Sequence, residues 1–141
     1  MGTVAVDLPD LLGRLALFID LPRAELEAIA RSHREVAFAE GEWVIRQGDE
    51  RSALFIIVDG EVTVTIDDED VGVLPRGSFF GEVSVLLAEP TSASIVTRTA
   101  VRCLVVAAPD VEAFLTAYPR VMYQMLKAEA RRLRTAGTSR T

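Results

Sequence analysis

The chain has 141 residues, half of them apolar, which is the size of one domain able to bury a proper core. Fifteen Lys and Arg stand against 21 Asp and Glu, and the formal net charge of −6 excludes the broad basic footprint that nucleic-acid phosphates demand. One cysteine excludes an internal disulfide, and no run reaches the roughly eighteen apolar residues of a membrane span, so a soluble, cytoplasmic protein is expected.

Leu8, Leu11, Leu12 and Leu15 recur at helical spacing, and after Asp20-Leu21-Pro22 a second segment sets Leu26, Ile29 and Ala30 on one face. These predict N-terminal helices over 8–33, with Pro22 suited to a first helical turn. From 34 to 106 the period falls to two. Short runs at 36–38, 43–45, 54–58, 62–66, 71–74, 94–97 and 102–106 are punctuated by Glu40-Gly41, Gly48-Asp49, Asp59-Gly60 and Arg76-Gly77. Asp59-Gly60 between two such runs predicts a hairpin, and Asp67-Asp68-Glu69-Asp70 reads as a solvated acidic tip. Cys103 lies in an apolar run and reads as a buried strand residue; Trp43 reads as core or rim packing; His33 has no second ligand nearby for a metal. Strands this short and this many predict a mainly β fold, a sandwich or barrel, for which a jelly roll limits exposed edges. After Pro109 the helical period returns over 109–135: a short helix at 110–117, then one opened by Pro119 and carrying Val121, Met122, Met125, Leu126 and Leu133. Lys127, Arg131, Arg132 and Arg134 in its last turns read as a solvated basic end that complements the helix dipole.

Between the fifth and sixth runs lies Phe79-Phe80-Gly81-Glu82-Val83-Ser84-Val85-Leu86-Leu87, followed by Pro90-Thr91-Ser92-Ala93-Ser94. This segment resembles the phosphate-binding cassette of cyclic nucleotide-binding domains, the effector domain of catabolite activator protein and of protein kinase A regulatory subunits. Other stretches in matching order extend the likeness over nearly the whole chain. Leu17-Phe18 and Leu21-Pro22-Arg23-Ala24-Glu25-Leu26 resemble the family's entry helix, and 41–49 and 54–62 its early strands. Phe114 to Pro119 with Ala130-Arg131-Arg132-Leu133 resembles its exit helix. The resemblance implies one domain: a double-stranded β-helix (jelly roll) barrel over 34–106 with a short helix at 82–87, N-terminal helices, and C-terminal lid helices.

It also implies a ligand site at Phe80, Gly81, Glu82, Val83, Ser84, Thr91 and Ser92. A cyclic nucleotide presents a ribose hydroxyl, a singly charged phosphate and an apolar base. By resemblance Glu82 accepts from the ribose 2′-hydroxyl, Gly81 lets the backbone approach closely, and N–H groups opening the 82–87 helix face the phosphate, with Ser84 and Ser92 adding hydroxyls. Glu82 is equally well explained as a carboxylate capping its own helix. The family's pattern has arginine where this chain has Thr91, and threonine where this chain has Ser94. Threonine offers one neutral donor in place of a charged fork, and losing such a partner costs about 2–5 kcal/mol. Arg98 is an odd number of residues from Thr91 on a strand path and Arg76 belongs to a turn, so neither replaces it.

Two functions follow. One is a non-catalytic regulatory domain that senses a small ligand, with cyclic AMP or cyclic GMP binding weakened at Thr91 and the lid helix, through Met122, Met125, Leu126 and Leu133, carrying the signal. The other is a ligand-independent interaction domain that dimerises or docks on a partner through that helix, where Glu129 interrupts an otherwise apolar seam. No Ser/His/Asp or Cys/His set, metal-ligand cluster or triphosphate-gripping glycine loop supports an enzyme, and no cofactor is implied beyond the cyclic nucleotide ligand. Direct nucleic-acid binding and membrane insertion are not expected. The sequence accommodates both a stand-alone regulator and a domain of a longer protein.

Overall fold

The computed structural model describes residues 7–50 and 52–139. Two short helices, α1 (Leu8–Gly13) and α2 (Arg23–Ser32), flank a single 3-10 turn at Ala16–Phe18. Such short helices do not persist alone in water; they are held by the side chains they bury. Leu12, Phe18 and Ile29 are fully buried, each contributing about 1.5–3 kcal/mol. Pro22 stands one residue earlier than expected, at the N-cap of α2 with extended backbone, before the first helical residue Arg23.

Eight strands follow: β1 (Arg34–Phe38), β2 (Trp43–Ile45), β3 (Leu54–Asp59), β4 (Val62–Ile66), β5 (Glu69–Leu74), β6 (Phe79–Phe80), β7 (Ser94–Thr97) and β8 (Val101–Val106). They form two four-stranded antiparallel sheets, ordered β1-β8-β3-β6 and β2-β7-β4-β5, the mainly β jelly roll with flanking helices. The pairing corrects one expectation. Asp59-Gly60 is no hairpin: β3 pairs with β8 and β6, whereas β4 pairs with β5 and β7, so the turn carries the chain from one sheet to the other. Gly60 is required there by its φ of +86° and by the Ala100 carbonyl oxygen, which a Cβ would meet at 2.2 Å. The hairpin is the β4–β5 turn, where Asp67 and Asp68 both take positive φ and Gln47 exchanges two hydrogen bonds with Asp67.

β3 and β8 read as near-continuous apolar runs because both their faces are covered. Leu54, Ile56, Val58, Leu104 and Val106 join a core built with the N-terminal helices, α4 (Val111–Ala117) and α5 (Pro119–Ser139). Ile57, Cys103 and Val105 face the other way and meet Ile45, Val62 and Ile95 of the second sheet, together with Phe80. Cys103 is fully buried, and burial pushes its thiol up to about 12, so it stays protonated and unreactive. Along α5, Val121 and Met125 belong to the first core, whereas Met122, Leu126 and Leu133 are exposed.

Candidate functional site

A cavity of about 490 Å³ opens between the second sheet and the segment linking β6 to β7. Ile45, Val64, Val73, Leu74, Phe80 and Ile95 supply apolar wall, and Gly81, Glu82, Val83, Ser84, Thr91 and Ser92 form one lip. Every residue of the cassette set is therefore on this cavity. The α5 helix closes the opposite lip with Arg132 and Ala136.

Local backbone chemistry fixes the lip. Phe79 and Phe80 pair with Ile56 and Phe55, and the Phe80 ring stacks on Phe55 with centroids 4.9 Å apart. The chain then turns at Gly81, φ +86°, where a Cβ would lie 2.1 Å from the Ala53 carbonyl oxygen. Gly81 is thus demanded by its contact with Ala53, irrespective of any ligand. The helix that follows, α3 (Glu82–Leu87), has six residues and ends at Ala88 in the left-handed region.

The hydroxyls the sequence points to are mostly committed to the scaffold. Thr91 is buried, and its Oγ1 donates to the Arg46 carbonyl at 2.8 Å while its N–H donates to the Asp49 carbonyl at 2.8 Å. Ser94 Oγ accepts from the Gln47 N–H at 2.8 Å, and Thr97 Oγ1 accepts from the Glu42 N–H and donates to the Ala39 carbonyl. Three hydroxyls at positions 91, 94 and 97 thus pin the backbone around β2. Ser84 Oγ donates to the Glu89 carbonyl at 2.6 Å and accepts from the Ser52 N–H, closing the α3 turn on itself. Ser92 is exposed and has no hydrogen-bond partner among the described residues. Thr91→Val keeps the shape but removes one of two hydrogen bonds on the Arg46 carbonyl, which also accepts from the Asp49 N–H at 3.0 Å, and is expected to cost about 0.5–1.5 kcal/mol in urea unfolding; no measurable loss would contradict a structural role for this hydroxyl.

Glu82 is 4% exposed, and its carboxylate accepts from Arg132 Nη1 at 2.9 Å. The same nitrogen donates to Glu129 at 3.2 Å, and Nη2 donates to the Phe79 carbonyl at 2.7 Å and to Ser78 Oγ at 3.0 Å. The guanidinium lies 4.4 Å from the Phe79 ring centroid. Expected as part of a solvated basic end, Arg132 is instead the contact by which α5 grips the cassette. Fifty residues separate it from Glu82, so no local spacing announces the pair. Only the Glu129–Arg132 step of three marks it in sequence as a paired cation. Burial, then the hydrogen bond and charge of Glu129, push the Glu82 carboxyl up to about 8, against the pull of Arg132.

Three other arginines are elsewhere. Arg98 pairs with Glu61 at 3.5 Å, Arg46 lies over the half-exposed Trp43 ring at 4.7 Å, and Arg76 lines a separate groove beside Gly77 and Ser78. His33 is an edge-on neighbour of Phe114, and burial lowers its pKa.

With this geometry in place, comparison with known proteins is decisive: the family model for the cyclic nucleotide-binding domain matches residues 35–118. The chain belongs to the cyclic nucleotide-binding domain family. A cGMP-dependent protein kinase of Plasmodium berghei (strain Anka) is 32% identical over 116 residues, 82% of this chain but 14% of the kinase. Among solved structures, the catabolite activator protein of Thermus thermophilus has a TM-score of 0.75 at 27% identity, covering 87% of this chain and 60% of that one. The N-terminal domain of a transcriptional regulator from Streptomyces coelicolor A3(2) has a TM-score of 0.65 at 29% identity, covering 90% and 94%. The chain thus spans a small part of the kinase and about the whole of the isolated regulator domain. Among the described residues, no helix of this cyclic nucleotide-binding domain is long and apolar enough to cross a membrane.

Proposed function

We propose that this chain is a non-catalytic, cytoplasmic ligand-sensing domain whose affinity for cyclic AMP and cyclic GMP is weakened by threonine at position 91. One observation carries the reading: the Thr91 hydroxyl is spent on the Arg46 carbonyl, so neither charge nor a free donor stands there. Arg132 is no substitute, because both its terminal nitrogens are already bonded and two carboxylates flank it. Among the described residues, a cyclic phosphate entering the cavity gives up water without gaining an unengaged cation, which is the costly half of anion binding.

Coupling to a partner runs through Glu82. An occupant that donates a hydroxyl or N–H to this carboxyl competes with Arg132 for the same acceptor, and so shifts α5 between gripping and released positions. The test is titration calorimetry with cyclic AMP and cyclic GMP on the parent chain and on Thr91→Arg. The parent is expected to bind weakly or undetectably. The variant forfeits one neutral hydrogen bond but gains a charged fork, for a net affinity gain of about tenfold or more. Parent binding at about −8 kcal/mol or tighter would overturn the reading of Thr91.

A second reading, the ligand-independent interaction domain, is favoured by one specific feature of α5. Met122, Leu126 and Leu133 are 41%, 63% and 75% exposed at steps compatible with one helix seam, and Tyr123 beside them is 59% exposed. A solution mass that stays monomeric at high concentration removes homodimerisation from that reading.

A further inference from the structure

Charge and wall chemistry in this cavity select a different class of occupant. Apart from Glu82, Ser84, Thr91, Ser92 and Arg132, its lining is apolar or glycine. Toward the open side, Ile66, Val71 and Val73 are 38%, 56% and 40% exposed, apolar surface that water covers at a cost until something apolar lies on it. The volume lies within the range of small-molecule pockets, about 300–1,000 Å³.

The lip does not offset this apolar character with cationic charge. Arg132 is the cation on the cavity among the described residues, and it faces Glu82 at 2.9 Å and Glu129 at 3.2 Å. With both acids ionised the trio carries one net negative charge. With Glu82 protonated, as its raised pKa favours near neutral pH, the trio is neutral and Arg132 keeps Glu129 as its counterion. In neither state does an incoming anion meet an unbalanced positive charge among the described residues, whereas an uncharged molecule gives up no ionic hydration by entering. Ser92, unbonded and exposed on the lip, and the Glu82 carboxyl supply hydrogen-bonding groups for one polar end.

We propose that the cavity takes an uncharged, mainly apolar small molecule with a single hydroxyl or amine donor, its apolar body against Ile45, Val64, Val73 and Ile95 and its donor on the Glu82 carboxyl. The proposal rests on the reading of this cavity as the domain's ligand site and names the class of ligand.

The test uses two dyes with one skeleton: uncharged phenylnaphthylamine and anilinonaphthalene sulfonate, which adds a single negative charge. Fluorescence titration of the full chain is expected to give one site for the uncharged dye, with affinity about tenfold or more above that of the sulfonate. Val64→Phe, which fills the cavity, and Val73→Arg, which places a cation on its exposed edge strand, should each weaken the uncharged dye by about tenfold or more. Circular dichroism confirms that the fold survives, and the edge-strand variant stands if the interior one fails to fold. Sulfonate binding equal to or tighter than that of the uncharged dye overturns the proposal. So does uncharged-dye binding that neither folded variant changes. Cyclic AMP titrated in parallel separates the two levels. Weak cyclic AMP binding without dye binding overturns the ligand class alone, and sub-micromolar cyclic AMP binding overturns the reading of Thr91 as well.

Discussion

Gly81→Ala is expected to destabilise the chain by about 4 kcal/mol or more, lowering the thermal midpoint by about 10 °C or more. Two costs combine at this position. A φ of +86° strains any residue with a Cβ, by about 1–2 kcal/mol. The Cβ would also stand 2.1 Å from the Ala53 carbonyl oxygen, a backbone atom that moves only if β3 and β6 separate. Gly41 is the control. Its φ is +81°, but nothing lies within 4 Å of where its Cβ would be, so Gly41→Ala should lose only the conformational strain. Equal losses at the two positions in urea unfolding would show that the Ala53 contact relaxes freely. The comparison also has a functional edge, because a Gly81→Ala chain that unfolds says nothing about ligand approach at this glycine.

The second large effect is on pH dependence. The Glu82 carboxyl titrates near 8 in the folded chain and near its ordinary value of 4.5 when unfolded. Between those values the folded state holds a proton that the unfolded state has released, so stability falls as pH rises. The contribution is fully present below about pH 4.5 and is lost as pH climbs through 8. Glu82→Gln keeps an acceptor oxygen for Arg132 and removes the titration. Its stability relative to the parent is therefore expected to rise by about 3 kcal/mol between pH 5.5 and 8.5, groups that do not touch Glu82 cancelling in the difference. Urea unfolding at four or five pH values measures this. A parallel pair of profiles would mean that Arg132 holds Glu82 ionised throughout, leaving the trio of Glu82, Glu129 and Arg132 with one net negative charge.

The short runs are legible because β-branched and aromatic residues between turn-forming glycines and acidic residues mark each strand locally; Trp43–Ile45, Val62–Ile66 and Ser94–Thr97 coincide with observed strands. Phe79–Phe80 escaped that reading as a strand because two residues carry no period. Pairing partners were not legible at all. Asp59-Gly60 has hairpin chemistry, yet it turns a corner between sheets, since which strand lies alongside β3 depends on contacts with β8 more than forty residues away. Among the cassette residues, Glu82 and Gly81 stood out by motif, but the hydroxyl of Thr91 read as a weak ligand donor until Arg46 was found in front of it. Arg132 read as solvent-facing because a basic residue near a helix C-terminus already has a sufficient local explanation in the helix dipole.

By itself the sequence determined that an acidic chain of this length builds one β-rich domain with helical ends, and that the cassette lacks an arginine at position 91. Those are properties of residue type and local spacing, which short-range backbone and solvation preferences express directly. Only the tertiary structure decided that Thr91 is committed to the first strands, that α5 returns to place Arg132 on Glu82, and that two acids flank this arginine on the lip above an apolar cavity. Each of these depends on groups brought together from about fifty residues apart, and burial in a low-dielectric interior is what gives such pairs their consequence.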